Sequence, residues 1–139
     1  MYVTAIFSTI LDFIFIRLTF HVIELRKLHK VAFGHGGVDS LEKAIRAHGN
    51  FSEYVPISLI LMGTLEFNGA PSFWIVILGA FFVLGRYFHA RGMNHDGPDF
   101  ENRVTGMKFT LVTVALLALS NVIWIAYVLL AAAKFAAMH

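Results

Sequence analysis

The sequence predicts an all-α fold, an integral membrane four-helix bundle in a single domain covering residues 1–139, and three observations carry that reading. The hydrophobic fraction is 58%, the charged fraction only 14% and the mean hydropathy +0.70, against about 25% charged residues in soluble domains. The apolar residues are grouped in long segments, separated by three short breaks rich in Gly, Asn, Asp or Pro. The basic residues collect around the first and third breaks and avoid the second.

The first span runs from about Tyr2 to Leu28, with Arg26, Lys27, His29 and Lys30 marking its exit from the bilayer. No basic segment precedes it and no small-residue cleavage site follows the apolar stretch Tyr2 to Leu25, so it reads as a retained span and not as a signal peptide. Gly34, Gly36 and Gly37 make a flexible turn. Asp39 followed by Glu42 has the spacing of a capping box, which starts a second helix running to about Glu66. Only its second half, Tyr54 to Leu65, is uninterruptedly apolar. That half is too short for a hydrocarbon core of about 30 Å, so the polar first half belongs to the span or protrudes from it.

Asn68-Gly69 is a turn, Pro71 suits the first position of a third helix, and this helix extends to about Gly92. The run Asn94-His95-Asp96-Gly97-Pro98 breaks the chain again. Asp99 is then the expected cap of a long fourth helix, apolar from Phe109 to Ala133 apart from a few small polar groups and Asn121. Arg26, Lys27, Lys30 and Lys43 flank the first connection and Arg91 and Arg103 the third, so the positive-inside rule places those connections in the cytoplasm and both termini outside.

With no cysteine, the chain supports neither a disulfide framework nor a thiolate zinc site, and thiol chemistry would have to use another molecule's sulfur. No metal site is expected. The net charge of +2 is small and its basic residues are dispersed between apolar segments, which gives no reason to expect nucleic acid as a partner.

Ionisable groups inside apolar helices are the most informative feature, because each costs a few kcal/mol at the bilayer centre unless paired or facing a polar cavity. Arg46, Asn50 and Glu53 stand at i, i+4 and i+7 on the second helix and share one stripe. Arg86 and His89 lie three apart on the third, and the fourth adds Arg103 in its first turn and Lys108 deeper. One reading is an internal salt-bridge network joining Glu53 to Arg46 or Arg86. The other is an anion pocket, since cations outnumber Glu53 at this level and would receive a ligand bearing carboxylates. Pro56 frees the carbonyl of Ser52 and should bend the helix beside Glu53. Asp12 in the first span invites a proton-coupled transporter, and His21, His48 and His89 on three helices invite haem; lone helical histidines more commonly hydrogen-bond within the fold.

The run Glu42-Lys43-Ala44-Ile45-Arg46-Ala47-His48-Gly49-Asn50-Phe51-Ser52-Glu53-Tyr54-Val55-Pro56 resembles the second-helix signature of the MAPEG superfamily, membrane-associated proteins in eicosanoid and glutathione metabolism. Gly85-Arg86-Tyr87-Phe88-His89-Ala90 resembles that family's third-helix motif, and Asn102-Arg103-Val104-Thr105-Gly106 the start of its fourth helix. The likeness is to the short bacterial, microsomal glutathione transferase-like branch. It implies a homotrimer in the bacterial inner membrane that binds glutathione between subunits near the cytoplasmic face. By position, Arg46, Asn50, Glu53 and His89 match glutathione-contacting residues of the family, and Arg86 belongs to the motif. Either Arg26 or Lys27 matches a basic ligand contact, and Arg103 matches the arginine thought to stabilise the thiolate in active relatives. Gly49, Met93, Val104 and Met107 depart from the family, replacing an arginine, two tyrosines and a serine found in several animal members, so hydroxyl donors to the sulfur are fewer.

The resemblance implies a glutathione transferase, or a glutathione-dependent peroxidase, that takes glutathione as co-substrate and a lipophilic small molecule from the membrane lipids. The alternatives are a non-catalytic glutathione-binding or structural membrane protein and a small proton-coupled transporter.

Overall fold

The computed structural model describes residues 1–94 and 100–138. Four helices follow one another: α1 (Tyr2–His29), α2 (Asp39–Phe67), α3 (Ser72–Asn94) and α4 (Phe100–Ala136). The predicted bounds are met within three residues at each described end. Asp99, the expected cap of α4, and the break from His95 to Pro98 lie outside the described residues.

Contacts at both ends define the topology. Thr4 on α1 meets Glu66 on α2, and Thr19 meets His48, so these helices are antiparallel. Trp74 on α3 donates to Ser120 on α4, while Gly85 lies against Gly106, so this pair is antiparallel as well. The chain thus runs down, up, down and up through one bundle. α1, α3 and α4 are long and apolar enough to cross a membrane. α2 has the length, but Asp39, Glu42, Lys43, Arg46 and Glu53 crowd its first half.

The core falls into two layers. Phe7, Met62, Leu65, Ile75, Leu78 and Leu117 fill the end near the α2–α3 turn, and Leu11, Leu18, Phe51, Phe82 and Met93 fill the other. Polar groups stitch the first layer together. Asn121 donates from Nδ2 to the carbonyl of Leu61 at 2.9 Å and accepts from the Thr64 hydroxyl at 2.9 Å, tying α4 to α2.

The start of α1 is capped from another helix. The Glu66 carboxylate, at the end of α2, accepts from the backbone N–H of Val3 at 2.9 Å, the N–H of Thr4 at 2.8 Å and the Thr4 hydroxyl at 2.6 Å. These are groups that a helix leaves without partners in its first turn, and the carboxylate also complements the positive end of the helix dipole. Glu66→Ala should therefore lower stability by about 1–3 kcal/mol, read as an earlier thermal transition in detergent, with Glu66→Gln losing less because its amide oxygen still accepts.

Two local expectations are corrected. α2 starts after Val38 and no side chain caps it, so Asp39 and Glu42 do not form a capping box. Glu42 instead binds Arg46, at 2.9 Å to Nη2, and lies 3.6 Å from Nδ1 of His35. Pro71 stands one residue before α3, where its carbonyl accepts from Trp74 and Ile75. The turn residues behave as expected. Gly36 has φ +59°, and a Cβ there would lie 2.7 Å from a Val31 methyl carbon, so only glycine fits.

Candidate functional site

The sequence-predicted residues gather at the end of the bundle away from Glu66, and they divide into a buried pair on α3, the half-buried Asn50 beside it and an exposed rim. On α3, Arg86 is 1% exposed and His89 6%. The Arg86 guanidinium donates from Nη1 to the Asn50 side-chain oxygen at 2.8 Å, and to the Asn50 carbonyl at a long 3.4 Å. Its carbon lies 5.5 Å from the centre of the Tyr54 ring, within the range of a cation–π contact. Nε and Nη2 are buried and meet no acceptor.

α2 and α3 thus bring Asn50, Tyr54 and Arg86 together. The helix supplies the register, since Asn50 and Tyr54 are one turn apart and their side chains lie over the same face. Tyr54 was not among the candidates. Its place four residues after Asn50 in the motif was the available signal, but a tyrosine in an apolar helix reads first as an interfacial aromatic.

The salt-bridge expectation is not met. Arg46 is exposed and paired to Glu42 one turn back, and Arg86 is bound to Asn50. Glu53 is exposed on the outer side of α2, joined to neither arginine. The stripe of Arg46, Asn50 and Glu53 therefore divides, with Asn50 turned to the bundle and the two charges turned away from it.

His89 sits where α3 and α4 come closest. A Cβ placed on Gly106 would collide with the backbone nitrogen of His89 and lie 2.6 Å from the carbonyl oxygen of Gly85. Glycine at Gly85 and Gly106 lets the two backbones approach, as small residues do in membrane helix pairs. Arg103, one turn before Gly106, is exposed at the start of α4. The close crossing fixes the height of Arg103 relative to His89.

On α1 the two basic candidates differ. Arg26 turns back on the following loop, its Nη1 donating to the carbonyls of Ala32 at 3.2 Å and Gly34 at 3.0 Å. Lys27 is exposed. Both line a cavity of about 360 Å³ with Lys30 and Val31, whereas Arg46, Asn50, Glu53, His89 and Arg103 are not among its lining residues. His48 is engaged within the fold, its Nε2 3.1 Å from the Thr19 hydroxyl and its ring 4.8 Å from that of Phe15.

The arrangement offers a positive, partly unsatisfied interior with exposed cations around it, which suits an anionic ligand. The MAPEG family model matches residues 4–123, nearly the whole bundle. This chain belongs to the MAPEG family. It is similar to the inner membrane protein YecN of Escherichia coli strain K12, with 36% identity over 119 residues, covering 86% of this chain and 89% of the relative. YecN of Escherichia coli O6:H1 strain CFT073 matches with the same identity and coverage. Membership agrees with the motifs quoted above and with the all-helical, membrane-spanning architecture, and it makes the chain an integral membrane protein of a family in eicosanoid and glutathione metabolism.

Proposed function

We propose that this MAPEG protein binds glutathione near the cytoplasmic ends of its helices and activates its thiol toward lipophilic electrophiles that arrive from the bilayer. The observation that carries the reading is Arg86. A guanidinium that is 1% exposed, with two N–H-bearing nitrogens lacking any acceptor and no carboxylate paired to it among the described residues, is costly unless an anion balances it. Glutathione brings two carboxylates, an ammonium and a thiol. Arg46 and Lys27 supply exposed cations for the carboxylates, with Arg86 behind them, Glu53 a carboxylate for the ammonium, and Arg103 the charge that favours thiolate over thiol.

The chemistry then needs no nucleophile from the protein. A bound thiolate attacks the electrophilic carbon of the second substrate, the carbon–sulfur bond forms as the leaving group departs with its electron pair, and the conjugate is released. The same thiolate, attacking the terminal oxygen of a lipid hydroperoxide, would form a glutathione sulfenic acid as the O–O bond breaks and the lipid alkoxide leaves to be protonated, and a second glutathione thiol would then displace water from that sulfur to give glutathione disulfide, which is peroxidase turnover. A binding protein without turnover is the second reading, and one feature favours it. Val104 beside Arg103, and Met93 and Met107 nearby in sequence, supply no hydroxyl to the sulfur.

The homotrimer is part of the proposal. Glu53 is exposed on a single chain, and a neighbouring subunit would cover such a charge at membrane depth more favourably than lipid. The inner membrane is the proposed location, on the similarity to YecN, with both termini outside. Cysteines introduced between Gly34 and Asp39 should then react with impermeant reagents only from the cytoplasmic side, and cysteines at Gly69 only from the opposite side. The reverse pattern would remove the cytoplasmic glutathione supply from the model of function.

Glutathione titration of the purified protein tests the reading directly. Glu53→Gln should weaken binding about tenfold or more, whereas Asp12→Asn should leave it within about twofold, tenfold being about 1.4 kcal/mol. No saturable binding by the wild type would end the proposal, and equal losses in both variants would point to general destabilisation.

A further inference from the structure

We propose that the cleft between α1 and α2 binds a lipophilic organic ammonium ion, with the Asp12 carboxylate as its counter-ion. The cleft has a volume of about 570 Å³, the size of a small-molecule site, and its polar lining consists of Ser8, Thr9, Asp12 and Ser52.

Every one of these groups faces the cleft with acceptor capacity and no free proton. The Ser8 and Thr9 hydroxyls both donate to the carbonyl of Ala5 at 2.9 Å, and the Ser52 hydroxyl donates to the carbonyl of His48 at 2.9 Å. A hydroxyl has one proton, so what remains on each oxygen is lone pairs. Pro56 also lines the cleft, and because it has no N–H the carbonyl of Ser52 lacks its helical donor. Among the described residues the Asp12 carboxylate makes no hydrogen bond or ion pair, and no Lys, Arg or His lines the cleft. An acceptor-only cleft with one carboxylate selects a cation that donates hydrogen bonds.

The apolar walls add to the selection. Phe15 and Phe51 line the same cleft with ring centroids 6.3 Å apart, and aromatic faces attract ammonium ions. Asp12 lies eight residues along α1 from Thr4, roughly 12 Å from the Glu66-capped end at 1.5 Å per residue, which is within a hydrocarbon core of about 30 Å. Asp12 is exposed there, and an unpaired charge at that depth costs about 2.5–3.5 kcal/mol, which a bound ammonium offsets. A ligand at this depth arrives through the bilayer and must be lipophilic. Glutathione, with a net negative charge, is disfavoured beside Asp12, so this site is independent of the one proposed for glutathione.

The test uses the full-length protein in lipid nanodiscs and dansylcadaverine, a fluorescent naphthalene sulfonamide bearing a primary ammonium. Its neutral N-acetyl derivative is the control. The wild type should bind the amine saturably and the N-acetyl compound at least about tenfold more weakly. Asp12→Asn should lose at least about tenfold in affinity for the amine, while Asp12→Glu should stay within a few-fold. Equal affinity of the wild type for the amine and its N-acetyl derivative would overturn the proposal without reliance on any variant, as would unchanged affinity in a folded Asp12→Asn protein. The chain has no cysteine, so an Asp12→Cys protein that forms disulfide-linked pairs would show a second copy of the chain in the cleft, which would also overturn it.

Discussion

Replacing Arg103 by alanine is expected to abolish thiolate formation on bound glutathione and to lower turnover with a generic aryl halide by about 100-fold or more, the size of effect seen when one charge-stabilising group is removed from an anionic reaction centre. Binding should fall less, by under about tenfold. The reason is a division of labour among cations. The glutathione carboxylates have Lys27, Arg46 and Arg86 available, whereas Arg103 is the residue assigned to the sulfur. Each unit by which the thiol pKa is lowered corresponds to about 1.4 kcal/mol of preference for the anion. The guanidinium stands in the first turn of α4, and the Gly85–Gly106 crossing fixes its height beside His89. A paired titration of wild type and variant, following bound ligand and thiolate absorbance separately, makes the comparison. Unchanged absorbance and turnover in Arg103→Ala would take Arg103 out of the mechanism, and a wild type that binds without either signal would favour the binding-only reading.

The helices were legible because their ends carry local signals: the basic run after Leu25, the glycines at 34, 36 and 37, and Asn68-Gly69. What lay beyond the sequence was which helix each polar side chain faces. Residues 46, 50 and 53 look like one stripe, but at 3.6 residues per turn Asn50 and Glu53 are separated by roughly 60° around the axis. That is enough for Asn50 to turn inward to Arg86 while Glu53 turns outward. The expected Glu53 salt bridges failed for this reason, and Arg46 took the nearer carboxylate of Glu42. The Glu66 cap of α1 was out of reach for another reason. Its partners Val3 and Thr4 are 63 and 62 residues away, and a carboxylate at a helix C-terminus, next to an Asn-Gly turn, gives no local hint of its task. The acceptor character of the Asp12 cleft likewise depends on where three hydroxyl protons point, which no residue pattern specifies.

Gly106→Ala should be strongly destabilising. The new Cβ would collide with the backbone nitrogen of His89, and would lie 2.6 Å from the Gly85 carbonyl oxygen and 2.8 Å from the His89 Cα. All three atoms are backbone of α3, so no side chain can rotate away and the two helices must part. Overpacking of this kind costs about 1–3 kcal/mol, and here it acts at the pair of helices with the closest approach. Thr110 on the next turn of α4, whose hydroxyl donates to the Gly106 carbonyl at 2.8 Å and which is fully buried, would move with it. Gly49→Ala is the matched control, because a Cβ there meets nothing within 4 Å and alanine is the better helix former by up to about 1 kcal/mol. Thermal unfolding in detergent, followed by circular dichroism, should therefore show Gly106→Ala well below the wild type and Gly49→Ala at or above it. Because parting α3 from α4 separates His89 from Arg103, Gly106→Ala protein that remains folded at low temperature should also bind glutathione more weakly. A Gly106→Ala protein as stable as Gly49→Ala would mean that the α3–α4 crossing is looser than the distances state, and that the height of Arg103 is not set by it.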